Sequence, residues 1–561
     1  MLEKLKLLYG EGKGKEVALE IERLIQEAKS KITPENKELW DEKDVALITY
    51  PDSFREIDSR LRGNYSGGTL KTLEKFLSTY LKDSFSIVHI LPFYPYSSDH
   101  GFSITNYYQV KEEFGNWEDI EEIGKKYRLM ADLVLNHVSV KHEWFQKFLE
   151  GDEKYLEYFI HFDKSKIPEK ELKKVYRPRS TPLLTPFKTT KGERWVWTTF
   201  SVEKSIDQVD LNYKNPEVLL EIVKIILLFL QKGIKFFRLD STPYIWKELG
   251  TECKNLPQAH AIVGLLHDIL NTVCPQALIL TQSSVSFAEN LIYFGNEQKE
   301  SDLIYNFALP PLLLDALYNQ NSRHLNEMTL KMRIPPDVAF FNILAVHDGI
   351  GVNGAKGFLS ELELNNLCKK IEEHGGKLSY RNLPDGSKAV IELVVTWWSA
   401  LNPSTSLRTS SESFDLQLRK FITSHAIALS LAGIPAVYYL SLFGGENDFD
   451  LFSKSGIKRD LNRTNYNYND VSIKLLNKKS KETKIFSALT NLIKKRKSLR
   501  AFHPNSKQEV LFLDKRVFSI LRGENKSQVL ALHNLSSEKI DLKFNNKIFK
   551  LEPYSFFWEQ L

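Results

Sequence analysis

The sequence predicts an α/β protein built on a closed (β/α)8 TIM barrel, with inserted subdomains and a small C-terminal β-domain. Eight short apolar runs recur along the chain, each separated from the next by a stretch with helical spacing. Strands that alternate with helices indicate a parallel sheet, and eight such units suit a closed barrel. The predicted strands are VALITY (45–50), SIVHILPF (86–93), LMADLVLNH (129–137), IKFFRLDS (234–241), ALILTQSS (277–284), DLIYNFALP (302–310), FFNILAVHDG (340–349) and IPAVYYLS (434–441).

The chain of 561 residues is 42% hydrophobic, enough for a large core and more than one compact domain normally holds. The segment between the third and fourth strands is too long for one helix, and its sequence is rich in proline and aromatic residues, which indicates an inserted subdomain. A Ser/Thr-rich segment at 400–413 predicts a mobile surface loop. The predicted divisions are a helical preface (1–40), barrel strands one to three (41–140), subdomain B (141–205), the rest of the barrel with a second insertion near 350–410 (206–504), and the C-terminal β-domain (505–561).

Charge and composition argue against several classes of partner. Lysine and arginine outnumber aspartate and glutamate by only 76 to 71, so neither nucleic acid nor a membrane surface is implied. The charged start lacks the apolar stretch of a signal peptide, and the longest apolar run, at 222–230, is too short to span a bilayer, which predicts a cytoplasmic protein. Three widely spaced cysteines predict neither disulfides nor a zinc site. We expect no metal and no cofactor, and the sequence does not predict the oligomeric state.

Polar residues follow several of the predicted strands. In a parallel barrel the carboxyl ends of the strands surround one cavity, so these residues are expected to converge. A single aspartate after a strand is more often a helix cap than a catalyst, but several at matching strand ends point to one site. The residues concerned are Asp99 after the second strand, Asp132, Asn136 and His137 at the third, Arg238 and Asp240 at the fourth, and His347 and Asp348 at the seventh.

Three of these segments, DLVLNH, FRLDS and AVHDG, resemble short signatures of glycoside hydrolase family 13. Further text, including LPFYPYSSDHGFS, RPRSTPLLTPF and HDGIGV, is similar to the sucrose phosphorylase branch of that family. The N-terminal preface resembles that of the glucosylglycerate phosphorylases in this branch. The resemblance covers the chain to about residue 500 and implies glucosyl transfer between an α-glucoside and phosphate, with glucose 1-phosphate as the phosphorylated partner.

The resemblance also implies roles for particular residues. Asp240 matches the nucleophile that forms a covalent glucosyl-enzyme intermediate, and Arg238 would keep it ionised and oriented. Asp348 matches the carboxylate that binds sugar hydroxyls and stabilises the transition state. The residues matched to glucose binding are Asp99, His137, His347 and Arg463.

The sequence departs from the branch at the fifth strand. The branch reads TETNVPH there, and its glutamate is the general acid and base; this chain reads TQSSVSF, which aligns Gln282 with the glutamate. An amide can hydrogen-bond but cannot deliver a proton. Glu289 offers no obvious replacement, since the branch also has an acidic residue there beside its own glutamate. We expect Gln282 to leave the phosphate half-reaction partly active and to cripple cleavage of an unactivated glucoside.

Three functions therefore stay open from the sequence. The first is a retaining α-glucoside phosphorylase of the glucosylglycerate or sucrose type, without its usual acid. The second is a catalytically impaired homologue that acts as a sugar-binding or regulatory protein. The third is a transglucosylase or hydrolase that uses Asp240 with another acceptor. Glycerate, glycerol, fructose and a phosphorylated sugar are not distinguished as acceptors.

Overall fold

The computed structural model describes residues 1–32, 38–56, 68–201, 206–295, 299–383, 386–403 and 412–561. Its centre is a closed barrel of eight parallel strands, which confirms the predicted fold class. We number these strands β1 to β8 in chain order, and around the barrel they follow that same order. They are β1 (Ala46–Thr49), β2 (Ile87–Ile90), β3 (Arg128–Val134), β4 (Ile234–Asp240), β5 (Leu278–Thr281), β6 (Leu303–Tyr305), β7 (Ala339–Asn342) and β8 (Ile434–Tyr438).

The strands are shorter than the apolar runs that predicted them, most clearly at β7. Its last pair with β8 joins Asn342 to Pro435. Proline has no N–H to continue the ladder, so β7 ends there and the rest of its apolar run is loop. His347 and Asp348, predicted at the strand end, therefore lie on the loop that follows it.

Helices surround the barrel and cover its outer face. Pro216–Gln231, between β3 and β4, illustrates why they form: Asn215 caps its first turn, Pro216 occupies the first position, and apolar residues cover the buried side. The α-helices are Leu2–Tyr9, Glu11–Lys29, Thr69–Phe76, Trp117–Gly124, Glu143–Glu150, Glu153–Leu156, Glu169–Leu172, Pro216–Gln231, Pro257–Val273, Phe287–Leu291, Leu309–Asn319, Arg323–Lys331, Glu361–Glu373, Trp397–Leu401, Phe414–Ser430, Phe449–Ser455, Tyr468–Leu476 and Lys481–Lys497.

The first two helices form a hairpin that packs against the outside of the barrel. A Cβ on Gly14 would lie 2.8 Å from the carbonyl oxygen of Leu5, so only glycine permits this close crossing. Lys4 Nζ pairs with Asp268 at 2.7 Å, which fastens the hairpin to the helix Pro257–Val273.

Small sheets outside the barrel build the walls above it. One has the strands His161–Phe162, Gly192–Trp197 and Leu184–Thr189, and a second pairs His137–Ser139 with Gln208–Asp210. The third joins Ile350–Gly351, Lys388–Val394 and Lys377–Asn382. A short parallel pair links Phe54–Arg55 to Tyr466–Asn467. Most of the loop predicted at 400–413 lies outside the described residues.

A C-terminal antiparallel sheet ends the chain, as predicted. Its strands are Gln508–Asp514, Val517–Arg522, Val529–Asn534 and Phe556–Gln560, with a separate hairpin of Ile540–Phe544 and Lys547–Leu551. The buried Arg522 guanidinium donates to the carbonyls of Ser430 and His503, which joins this sheet to the barrel.

No helix in the described part of the chain is both long and apolar enough to cross a bilayer. The three cysteines, Cys253, Cys274 and Cys368, are buried and free.

Candidate active site

A cavity of about 910 Å³, counted to its open mouth, lies at the carboxyl ends of the barrel strands. Six of the eight residues predicted for the site line it, and the remaining two, Arg238 and Arg463, are buried and reach lining aspartates from behind. The six that line the cavity are Asp99, His137, Asp240, Gln282, His347 and Asp348.

Asp240 is the last residue of β4, and two neighbours fix its carboxylate. Arg238 Nη1 lies 2.9 Å from Asp240 Oδ1, and the Ser241 hydroxyl donates to Oδ2 at 2.8 Å. The same Nη1 donates to Asp132 on β3, opposite Arg238 in the parallel ladder. Burial opposes the charge on Arg238, but attraction to Asp132 and Asp240 raises its pKa well above the ordinary value. One buried cation is therefore shared by two carboxylates.

Gln282 follows β5 directly, beside the turn after β4. Its Oε1 accepts the backbone N–H of Ser241 at 2.8 Å, and its Nε2 donates to the Ser284 hydroxyl at 3.2 Å. Because a backbone N–H can only donate, the oxygen of the amide must face Ser241. The backbone of Gln282 is also tied to Leu239 and Thr242. The side chain is thus oriented by the protein itself.

Asp348 lies on the loop after β7 and faces a guanidinium. Arg459 Nη1 is 2.7 Å from Asp348 Oδ1, and Arg459 also pairs with Glu392. Burial would raise the pKa of Asp348, but Arg459 outweighs it and holds that pKa well below its usual range. His347 stacks on Phe102 with ring centres 4.7 Å apart, and burial lowers the pKa of His347 to about 3. The pair is therefore an ionised carboxylate beside a neutral imidazole.

Asp99 is presented by an unusual turn after β2. Asp99, His100 and Gly101 have φ values of 51°, 47° and 108°, all in the left-handed region. A Cβ on Gly101 would lie 2.7 Å from the Pro92 Cβ, so glycine is needed there. Backbone strain of this kind persists only where surrounding contacts enforce it. The Asp460 carboxylate provides one of them, since it lies 2.9 Å from His100 Nε2.

Arg463 approaches Asp99 with its guanidinium. Its Nε donates to the His347 carbonyl at 3.1 Å, and its Nη1 lies 3.7 Å from Asp99 Oδ1. Both terminal nitrogens are buried without a hydrogen-bond partner. Burial alone would raise the pKa of Asp99. The positive charges of Arg463, Arg459 and Arg179 have the larger effect and lower that pKa. Arg463 therefore lies behind Asp99 as a buried cation.

His137 is held in one tautomer. Its Nε2 lies 3.2 Å from the Phe102 carbonyl, which can only accept, so Nε2 carries the proton. The Asn136 amide then donates to Nδ1 at 3.3 Å. Behind it, Lys247 Nζ lies 2.8 Å from Asp210 and donates to Asn136. Burial lowers the pKa of His137, consistent with a neutral ring.

Comparison with known proteins identifies the family of the chain. The family model for the alpha amylase catalytic domain matches residues 48–334. The glucosylglycerate phosphorylase of Spirochaeta thermophila is 38% identical over 570 residues, which cover 100% of this chain and 93% of that protein. The protein of the same name from Allomeiothermus silvanus is 42% identical over 492 residues, which cover 87% of this chain and 84% of the relative.

The chain belongs to the α-amylase family, glycoside hydrolase family 13. Its place is in the sucrose phosphorylase branch, as a phosphorylase-like member. The crystal structure of sucrose 6F-phosphate phosphorylase from Thermoanaerobacter thermosaccharolyticum superposes with a TM-score of 0.76 at 27% identity. That match covers 91% of this chain and 98% of that structure.

In this α-amylase family member Glu289 has a structural task. It is the third residue of the helix Phe287–Leu291 and closes a capping box with Ser286, while Lys254 pairs with it at 2.7 Å. Partial burial acts to raise the pKa of Glu289, but the contacts with Lys254 and Ser286 outweigh it and bring that pKa to about 2. A carboxylate so committed is a poor proton donor.

Sequence reasoning missed several residues that line the cavity of this family member. They come from inserted loops and sheets and from the segments after β4 and β8, where no strand or helix period marks a position. Arg459 stands in the same KRDLNR segment as Arg463, and Arg179 stands in RPRSTPLLTPF, so the sequence held a signal for both. The missed residues include Tyr176, Arg179, Gln208, Tyr244, Glu392 and Arg459. Among the described residues, no group of three or more His, Cys, Asp or Glu side chains is arranged to hold a metal ion.

Proposed function

We propose that this protein is a retaining α-glucoside phosphorylase, of the glucosylglycerate or sucrose type, that works without the usual general acid. The observation that carries the proposal is the Asp240 carboxylate, held by Arg238 and Ser241 at the cavity wall. Two relatives named as phosphorylases, which match 100% and 87% of this chain, support the reaction class. The substrates are an α-glucoside, phosphate and glucose 1-phosphate.

The first step is attack of an Asp240 oxygen on the anomeric carbon of glucose 1-phosphate. The bond from that carbon to the phosphate oxygen breaks, and its electron pair leaves with phosphate. When the ester enters as its monoanion, the leaving group is hydrogen phosphate and no protein acid is required; the relevant ionisation lies near about pH 6. Asp348 and Asp99, which Arg463 supports from behind, line the cavity and would hold the sugar while the oxocarbenium-like charge develops.

The second step is attack of the acceptor hydroxyl on the glucosyl-enzyme. The bond to Asp240 breaks, a new glycosidic bond forms, and the hydroxyl proton passes to the hydrogen phosphate released in the first step or to water. Gln282 accepts no proton, so this step lacks the factor of about 10² to 10⁴ that a general base supplies. In the reverse direction a sugar or glycerate oxygen leaves without protonation. Cleavage of the glucoside is therefore slower than release of phosphate from glucose 1-phosphate.

A second candidate, a sugar-binding or regulatory protein that has lost catalysis, is favoured by one observation. The oxygen of the Gln282 amide accepts a hydrogen bond from Ser241, and its nitrogen donates one to Ser284. The amide therefore satisfies both contacts without a carboxyl group. Under this alternative the cavity binds glucose and turns nothing over.

The deciding experiment is phosphate release from glucose 1-phosphate with glycerate, glycerol, fructose or water as acceptor. The native protein is compared with Asp240→Ala and Gln282→Glu. Turnover by the native protein that Asp240→Ala abolishes supports a phosphorylase, and turnover with water alone supports a hydrolase. Silence of the native protein, with activity only in Gln282→Glu, would assign the second candidate.

A further inference from the structure

The residue after Asp240 holds its backbone in a strained conformation at the wall of the cavity. Ser241 lines the cavity, and its φ and ψ of 54° and 37° lie in the left-handed region. A residue with a side chain rarely adopts this region, and such strain persists only where surrounding contacts enforce it. Strained residues of this kind gather at active sites, so the contacts of Ser241 indicate what its conformation serves.

Hydrogen bonds to the residue after β5 fix this turn. The Ser241 N–H donates to Gln282 Oε1 at 2.8 Å. The N–H and the hydroxyl of Thr242 each donate to the Gln282 carbonyl oxygen at 3.2 Å. The Tyr244 N–H closes the turn on the Ser241 carbonyl at 3.1 Å. The backbone of Ser241 therefore has a fixed position relative to β4 and β5.

This backbone places the Ser241 hydroxyl against Asp240. Its Oγ donates to Asp240 Oδ2 at 2.8 Å, while Arg238 Nη1 reaches Asp240 Oδ1 at 2.9 Å. Arg238 Nη1 also donates to Asp132, whereas a hydroxyl has one proton to donate and here that proton goes to Asp240. Each oxygen of the Asp240 carboxylate therefore has its own donor, a shared cation on one side and a neutral hydroxyl on the other.

We infer that Ser241 is a further catalytic residue, whose hydroxyl assists the departure of Asp240 from the anomeric carbon when the glucosyl-enzyme passes its sugar on. The inference rests on the proposed function for the claim that Asp240 forms this intermediate. It assigns Ser241 a task in the second step, the step in which Gln282 supplies no base.

The change of charge on Asp240 during the reaction explains this assignment. Asp240 is a carboxylate in the free enzyme and a neutral ester in the glucosyl-enzyme. A hydrogen bond to an ionised acceptor is roughly twice as strong as one to a neutral acceptor, so the Ser241 bond favours the carboxylate. In the second step the bond from the anomeric carbon to Asp240 breaks and its electron pair returns to the carboxylate. The Ser241 bond strengthens as that charge develops, which lowers the barrier, and the proton of Ser241 stays on its own oxygen.

The first step gains nothing from Ser241, because the same bond weakens as the carboxylate attacks and loses its charge. Removal of the hydroxyl should therefore slow the second step and leave the first step unchanged or faster. A residue that only held Asp240 in place would affect both steps alike. This difference separates a catalytic role of Ser241 from a structural one.

The test uses α-glucosyl fluoride in water, because fluoride departs without a proton from the protein and water accepts the glucosyl group. The value of kcat/KM for the fluoride reports the first step, and kcat reports the second step when that step is slower. Mass spectrometry of the intact protein in quenched samples gives the fraction of enzyme that carries a glucosyl group.

The variants are Ser241→Ala and Ser241→Gly. Both remove the hydroxyl, and glycine adopts a φ of 54° without strain, so the second variant preserves the turn if the first does not fold. The control is Ser498→Ala, which removes an exposed hydroxyl that donates to the Lys495 carbonyl at the end of the helix Lys481–Lys497.

We expect kcat to fall about tenfold in the Ser241 variants, with kcat/KM unchanged or raised and a larger glucosylated fraction. Ser498→Ala should match native protein in all three measurements. A fall of kcat and kcat/KM by the same factor in Ser241→Gly, or values equal to those of native protein, overturns the inference and leaves the proposed function standing. A native protein that releases no fluoride and carries no glucosyl group overturns the proposed function, and the inference with it.

Discussion

The side-chain oxygen of Gln282 accepts the backbone N–H of Ser241 at 2.8 Å, next to Asp240 in the chain. A glutamate at this position could keep that bond with one carboxyl oxygen. Its other oxygen would take the place of the nitrogen that now lies 3.2 Å from the Ser284 hydroxyl, and the hydroxyl could donate in turn. The substitution therefore adds an acid without a change of volume.

Gln282→Glu is expected to raise phosphorolysis of 2-O-α-glucosylglycerate by about 10² to 10⁴-fold, because a glycerate oxygen needs protonation to leave. Exchange of labelled phosphate into glucose 1-phosphate should gain much less, since phosphate leaves unaided. Both rates are measured on one preparation, with Gln282→Met as the variant that removes the amide and adds no acid. Equal gains in the two assays would contradict this account.

Arg238→Met should destabilise the protein and abolish turnover. Arg238 is shared by Asp132 and Asp240, and its removal leaves two buried carboxylates without their cation. Breaking a buried pair in this way typically costs about 3–5 kcal/mol. Denaturant unfolding measures the loss, and Arg238→Lys, which keeps a charge, should lose less. A free energy of unfolding equal to that of native protein for Arg238→Met would refute the prediction.

Arg463→Met should weaken glucose binding by about 10 to 100-fold, because Asp99, which lines the cavity, loses the cation beside its carboxylate. The two terminal nitrogens of Arg463 are buried and lack protein partners. Calorimetry with glucose measures the change. Arg516→Met, in the C-terminal sheet, removes an arginine that already pairs with Asp514 and serves as the control. Unchanged affinity in Arg463→Met would remove Arg463 from the sugar site.

His533 should make stability fall in acid. Burial lowers its pKa from the ordinary 6.5 to about 4. Trp558 Nε1 donates to His533 Nε2 at 3.2 Å, so the ring is neutral and a second proton would break this contact. With a folded pKa below the unfolded one, stability is fully present above pH 6.5 and declines towards pH 4, by about 3 kcal/mol.

Denaturant unfolding at several pH values between 7 and 4.5 tests this prediction. His533→Gln should have a shallower fall in stability over that interval than native protein, because one titrating group is gone. His425 is also buried, with a pKa lowered to about 4. Its titration contributes to the fall in stability of both proteins, so His533→Gln keeps part of the pH dependence. Identical slopes would show that His533 does not contribute.

The sequence was sufficient to predict the barrel because each strand is a local apolar run, and each of the eight predicted runs overlaps a barrel strand. Where the strands end depends on neighbours, as Pro435 shows for β7. Asp99, Asp240 and Asp348 stand at or beyond the ends of barrel strands and could be predicted. Tyr176 could not, because it lines the cavity from an inserted loop, where no strand or helix period marks a position.

The amide of Gln282 has a consequence for the pH–rate profile. A carboxyl group that must be protonated to act as the acid gives the profile its limb at high pH, where the group loses its proton. An amide does not titrate in the range where proteins remain folded, so position 282 contributes no limb. In the proposed phosphorylase the ionisation of the phosphate ester, and not that of a side chain at position 282, determines how the rate depends on pH. The ligand, and not the protein, then sets the acidity at which turnover is fastest.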